Sequence, residues 1–368
     1  MARQGASTQR FAYEPDYVTE PGSILQETID SLGITQREFA ARTGYTTKHI
    51  NLLITGKARI TPEAAVRLER VTQVPARFWN NLETQFQDRK ARLAANETLA
   101  ADLVWLKTIP TKELIKRGAI PAGATPVEML EATLSFFAVA SVDAWKSGWS
   151  KHQIAFRKSA GSGMGTDKCT GGIAAWVRLA ELTAANIDCE PYDAGQFKSS
   201  LQQIRSLTGD EPSVFIPEMK KLCARAGIAL ALVPEIRGSH VSGAARWITS
   251  SKGMIALNLR GKRNDKFWFT FFHEAGHLLN DRRDEVFVDV DYADDPREQA
   301  ANQFARDLLI PPAKAQHLSR LKSKVAVRQF AQQLGVHPAI VVGRLQHEGI
   351  IHFSHMHDLL VPLEWSES

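Results

Sequence analysis

The segment FWFTFFHEAGHLL, residues 267–279, constrains this chain more than any other stretch. His273 and His277 are four apart, so on a helix they share one face and can aim ring nitrogens at a common ion. The apolar residues on both sides bury that helix and give the dry surroundings that favour a catalytic metal. Glu274, about 100° further round the helix, does not join the histidines but can reach a water held between them, the position of a general base. Two histidines leave Zn²⁺ short of a third protein ligand. Glu298 supplies one, on a second helix read from Pro296 to Ile310, with twenty residues between it and His277. It also stands three residues after Asp295, so a capping box is the alternative role. Asp281, Asp284, Glu285, Asp289, Asp291 and Asp294 read as solvated loop charge. Mn²⁺ or Fe²⁺ suits two His and one Glu almost as well as Zn²⁺.

A chain of 368 residues is long enough for two or three domains. No apolar run approaches the roughly 18 residues that span a bilayer, and the N-terminus lacks the apolar core of a secretion signal. Cys169, Cys189 and Cys223 have no C-x-x-C spacing. This argues against a disulfide framework or a thiolate zinc site and fits a cytoplasmic protein with no membrane partner. The expected organisation is a flexible lead-in over 1–20, a compact helical unit over 21–85 and a helical connecting region over 86–210. A metal-bearing domain over 211–312 and a C-terminal helical segment over 313–368 follow. The glycine-rich stretch 159–165 reads as a loop. Short apolar segments at Ile228–Val233, Ala245–Ile248 and Met254–Leu259 read as strands. The fold class is therefore α+β, mainly α, with the sheet confined to about 225–260.

The charge of +5 is unevenly placed. Between Gln36 and Ile60 five cations, Arg37, Arg42, Lys48, Lys57 and Arg59, face the single acid Glu38, as a phosphate-facing surface requires. The same stretch meets the spacing of a helix-turn-helix. Ala40 is the small residue where the helices approach, Gly44 fits a turn with positive φ, and Ile50 and Leu53 are apolar residues on the buried side of the second helix. Thr46 or Thr47 can cap that helix. Thr46, Thr47, Lys48 and Asn51 then face the major groove of double-stranded DNA, while Gln36, Lys57 and Arg59 suit its backbone.

Residues 21–79, above all the opening Pro21-Gly22, the Gly33-Ile-Thr-Gln36 run and the closing Pro75-Ala-Arg-Phe-Trp79, resemble the HigA-type antitoxin branch of the Cro/repressor (XRE) helix-turn-helix family. The resemblance implies operator binding as a homodimer and a toxin partner. His273–His277, the Glu298-x-x-Ala301-Asn302 run, Leu309-Ile310-Pro311, Gly243-x-x-Arg246-Trp247 and residues 255–260 resemble the ImmA/IrrE zinc peptidases over about 211–345. That resemblance implies a zincin-like, gluzincin-type domain in which His273, His277 and Glu298 hold zinc and Glu274 is the catalytic carboxylate. The implied action is cleavage or control of a regulatory protein such as a repressor. A strand at Met254–Leu259 is expected to hold the substrate by edge pairing, and His352, His355 and His357 are candidates for transition-state stabilisation. Residues 330–345 outline a second helix-turn-helix, whose single basic residue, Arg344, favours packing over DNA contact. Two alternatives stay open: a repressor whose peptidase-like part binds a toxin or signal without turnover, and a peptidase whose N-terminal unit only dimerises or docks.

Overall fold

The computed structural model describes residues 19–149, 167–259, 263–280, 286–288 and 296–364. Most of the expected lead-in, the loop at 159–165, Arg260 and the acidic positions Asp281, Asp284, Glu285, Asp289, Asp291, Asp294 and Asp295 lie outside them. The chain divides into two compact units, Met1–Ala101 and Asp102–Ser368.

The first unit is helical: α1 (Pro21–Ser31), α2 (Gln36–Thr43), α3 (Thr47–Ile54), α4 (Pro62–Thr72) and α5 (Ala76–Asp102). Its boundaries are set by side-chain caps. Thr35, Thr46 and Thr61 each accept the third backbone N–H of the helix that follows, and Gly44 ends α2 at φ 73°. Leu25, Ile29, Phe39, Ala40, Ile50, Leu53, Leu68 and Trp79 form its buried core. Gly22 explains the opening Pro-Gly pair: a Cβ there would lie 2.0 Å from the Ile54 carbonyl oxygen, so α1 meets the end of α3 backbone to backbone.

The second unit is built round a four-stranded sheet of β1 (Ile228–Leu232), β2 (Gly243–Thr249), β3 (Lys252–Leu257) and β4 (Val286–Val288), ordered β1-β3-β2-β4. β1 runs parallel to β3, and β2 is antiparallel to both β3 and β4. β1, β2 and β3 follow the three expected apolar segments. β4 does not: the sheet extends beyond 225–260 because a three-residue strand, too short to show a period, pairs Phe287 with Ala245. β3 is central, flanked by β1 and β2, so both its edges are already bonded and the expected edge pairing of substrate at Met254–Leu259 is ruled out over Met254–Leu257.

Period-two alternation gives the sheet two buried faces. Ile228, Leu230, Ala245, Trp247, Ile255 and Leu257 join a core with Phe215, Trp268 and Phe272. This is the side of α9 (Pro212–Arg225) and α10 (Asn264–Asn280). Ala229, Ala231, Ala244 and Ala256 occupy alternate positions and are also fully buried. The helix packed against the strands besides these is α8 (Asp167–Ala185). Its Trp176 donates to the Val233 carbonyl, and its Glu181 pairs with Arg246 of β2. Within the region 86–210, expected as a helical connecting region, residues from Asp102 onward belong to the same unit as the sheet, and α8 packs against the strands. Two of the remaining helices, α6 (Thr111–Lys116) and α7 (Pro126–Phe137), precede α8 in this unit.

α10 packs against β2, β3 and the helix α11 (Pro296–Leu309). The helix pair α12 (Lys324–Leu334) and α13 (Pro338–His347), outlined as a second helix-turn-helix, turns at Gly335 with φ 64°. Its Val327, Phe330, Val341 and Leu345 are buried in the core that holds Phe267 and Phe271, and Arg344 pairs with Glu348 at 2.5 Å. Of the pair, α13 packs on α10 and α12 packs on α13.

Candidate functional site

In the first unit, α2 and α3 meet through buried Phe39, Ala40, Ile50 and Leu53. Thr47, Lys48 and Asn51 are exposed on the outer side of α3, and Lys57 and Arg59 are exposed in the turn after it. Thr46 is exposed too, but its hydroxyl oxygen is committed to the cap on His49 N at 3.1 Å. Gln36 is half-buried and donates to the Gln26 side chain of α1 at 2.6 Å, so it braces the helix pair. Glu38 offsets only its own neighbour Arg42, at 2.5 Å. Arg37, Lys48, Lys57 and Arg59 have no ion-pair partner among the described residues. The sequence reading passed over a ring stack beside this face: Tyr45 lies 4.5 Å from His49, and the Arg67 guanidinium sits 4.9 Å above Tyr45. The four-residue spacing of the two rings was its only signal.

In the second unit, α10 and α11 bring three ligand-type side chains to one point. His273 Nε2 lies 3.1 Å from Glu298 Oε2, His277 Nε2 lies 3.4 Å from Glu298 Oε1, and the two Nε2 atoms are 3.0 Å apart. All three groups are buried. The helices approach closely because residue 276 is glycine: a Cβ there would stand 3.2 Å from Ala301 Cα and from the Phe304 ring. His273 Nδ1 lies 3.1 Å from Asn302 Oδ1, one helical turn beyond Glu298. An amide oxygen only accepts, so Nδ1 carries the proton and Nε2 presents its lone pair to the cluster. Burial pushes the Glu298 carboxyl up, but the hydrogen bonds and charges of His273 and His277 outweigh it and hold it down at about 2. Imidazole lone pairs and a carboxylate crowded at this spacing repel one another unless a cation, a proton or a metal ion, sits among them. The donor set fits a divalent ion taking two nitrogens and one or two oxygens.

Glu274 lies on the same helix and is fully buried. Its carboxylate rests against the first residue of β2: a Cβ on Gly243 would come 2.6 Å from Glu274 Oε1 and from Thr270 Cγ2. Only glycine leaves room there, which gives the Gly243-x-x-Arg246-Trp247 run a physical meaning at both ends. Gly243 admits the carboxylate, and Arg246 ties β2 to α8.

Residues 25–79 match the helix-turn-helix family, and residues 231–346 match the IrrE N-terminal-like domain. A protein of Escherichia coli (strain K12), described as the uncharacterized HTH-type transcriptional regulator YddM, is 40% identical over 63 residues, which cover 17% of this chain and 67% of that protein. The chain belongs to the helix-turn-helix family. Its second unit joins to that module an IrrE N-terminal-like domain bearing the buried His273/His277/Glu298 cluster.

Within the second unit, a cavity of about 630 Å³ opens beside the cluster, with His273, Glu298 and Asn302 in its wall. α13 and the segment after it also line the cavity, through Ile340, Gly343, Gln346, His347 and Phe353. His352, His355 and His357 are exposed and line a separate depression with Lys322 and Met356, so the structure does not bring these three histidines to the cluster. His347, which the sequence reading did not single out, is the histidine that α13 contributes to the cavity. Asn302 is the other residue missed, and its place four after Glu298 was the signal for it. Among the described residues no helix is long and apolar enough to cross a membrane.

Proposed function

We propose that this chain is a DNA-binding regulator whose second unit is a metal-dependent endopeptidase acting on a regulatory protein. The observation that carries the enzymatic part is the convergence of His273 Nε2, His277 Nε2 and the Glu298 carboxylate within hydrogen-bond distances in a buried site beside a cavity. These three residues are the proposed metal ligands, of the H-E-x-x-H plus Glu type, and Zn²⁺ is the ion they suit best. When bound, such an ion supplies a Lewis acid and an acidified water at neutral pH. Asn302 holds His273 in the tautomer that binds. Glu274, kept dry beneath Gly243, is the proposed general base: it accepts the proton of the attacking water and returns it to the leaving amine of the peptide.

The DNA-binding part rests on the helix-turn-helix geometry and on four exposed cations of its helices and turn without ion-pair partners among the described residues. Thr47, Lys48 and Asn51 of α3 are placed to read base edges, with Lys57 and Arg59 at the phosphates. Thr46 and Gln36 act there through the cap and the α1 brace. The homodimer and the toxin partner rest on the antitoxin resemblance.

The test is metal analysis and target cleavage run in parallel on wild type, His277→Ala and Glu274→Gln. About one zinc per chain in wild type and Glu274→Gln, its loss in His277→Ala, and cleavage of a co-expressed regulator by wild type alone are expected. Metal-loaded wild type that leaves the level and length of every cellular regulator unchanged relative to Glu274→Gln points instead to a repressor that binds its partner without turnover.

A further inference from the structure

Helix α11 places more than a ligand in the cavity wall. Glu298, Asn302 and Arg306 follow one another at four-residue steps, and all three face the cavity. Arg306 is half-buried. It donates through one terminal nitrogen to Gln303 at 3.0 Å, while its Nε is buried with no hydrogen-bond partner among the described residues. The charges of Arg263, Asp265, Arg344 and Glu298 in the lining are engaged. Arg263 holds Asp265 with two bonds at 2.9 and 2.7 Å, Arg344 pairs with Glu348, and Glu298 belongs to the histidines. Lys266, on the same wall, is exposed and has no ion-pair partner among the described residues. The rest of the lining is largely apolar, with Phe267, Leu309, Ile310 and Ile340 among its members. A guanidinium nitrogen removed from water and without an acceptor among the described residues is costly, and a carboxylate is the partner that a guanidinium matches in geometry.

We propose that this cavity is a subsite for a carboxylate borne by a peptide: Arg306 takes the acidic group, and the apolar wall takes a hydrophobic neighbour. The proposal rests on the peptidase reading for its meaning as substrate specificity, whereas the binding itself depends only on Arg306 and the cavity. An acidic side chain and a free C-terminus offer the same carboxylate, so both are probed.

Calorimetric titration of the full-length Glu274→Gln protein, zinc-loaded and chelator-stripped, uses four capped dipeptides. Acetyl-Phe-Glu-amide and acetyl-Phe-Gln-amide probe the side chain; acetyl-Phe-Phe with a free and with an amidated C-terminus probes the terminus. At least one acid is expected to bind about tenfold more tightly than its amide. That preference should survive removal of zinc, vanish in Arg306→Gln and be partly restored in Arg306→Lys. The pair showing the preference identifies the source of the carboxylate. No preference in either pair, or a preference lost with zinc and unchanged in Arg306→Gln, overturns the subsite, the latter because the metal then holds the carboxylate. Arg306→Lys also keeps the test meaningful should Arg306→Gln fail to fold. Absence of cleavage by wild type with the probe preference intact sinks the peptidase reading alone.

Discussion

Removing the Asn302 side chain should weaken zinc binding without touching a ligand. The His273 ring is oriented from outside the cluster by the 3.1 Å hydrogen bond from Nδ1 to Asn302 Oδ1, beside a ring contact with Phe269. Asn302→Ala deletes that acceptor, so the ring can adopt the other tautomer and turn away from the Glu298 oxygens. Loss of such an outer partner typically costs 10- to 100-fold in metal affinity, about 1.4–2.8 kcal/mol. His273 and Asn302 both line the cavity, where water can replace the lost oxygen, so the lower end, about tenfold, is expected. Asn302→Asp restores an acceptor at the same place and should bind zinc at least as tightly as wild type. The assay is competition for zinc against a chromophoric chelator, with thermal melting of the metal-free proteins as the control for folding. Wild-type affinity in Asn302→Ala would refute the reasoning, because the ring would then be held by its ligands alone. Equal weakening in Asn302→Asp and Asn302→Ala would refute it too, since the acceptor would not be what matters.

Gly243→Ala pushes a methyl group to 2.6 Å from the Glu274 carboxylate and Thr270. It should cost about 1–3 kcal/mol of stability and abolish cleavage while zinc affinity stays near wild type; unchanged cleavage would show that Glu274 does not need its present place. Lys48→Ala with Asn51→Ala should abolish sequence-specific retention on operator DNA, and Lys57→Ala alone should reduce the salt slope of binding by about one. Gel-shift titrations at several salt concentrations check both, and an unchanged slope assigns Lys57 no phosphate. For Glu298, whose folded value of about 2 lies below its ordinary 4.5, the stabilising contribution is present above about 4.5 and is lost as pH falls toward 2. Metal-free wild type should therefore lose melting temperature more steeply over that window than Glu298→Gln; parallel curves would mean that the histidines do not hold the carboxylate.

What the sequence made legible follows from the range of the interactions involved. The α2–α3 turn is local: a cap at Thr46, a left-handed glycine at 44 and apolar residues three apart are all set by neighbours within one or two turns. The cluster is legible for the same reason on the α10 side, where helical spacing alone places His273 and His277. Glu298 comes from a second helix, and what positions it is a contact between elements, Gly276 against Ala301 and Phe304. That contact has no period in the sequence and shows only as an absent side chain. The same holds for Gly243 under Glu274.

The expectation of substrate pairing at β3 failed because strand order is a long-range property. An apolar run such as Met254–Leu257 declares burial but does not say which strands will lie beside it. One inference was nevertheless available. Strands reading Ile-Ala-Leu-Ala-Leu and Gly-Met-Ile-Ala-Leu have apolar residues on both faces, so a second covering layer had to come from somewhere in the chain. α10 and α9 supply one layer. The helix through Trp176 and Glu181 is the remaining candidate upstream with a small-residue, apolar surface, and the structure sets it against the strands. A region that carries no motif can thus be assigned by what the strands lack, and here that assignment joins residues from Asp102 onward to the unit that holds the metal cluster.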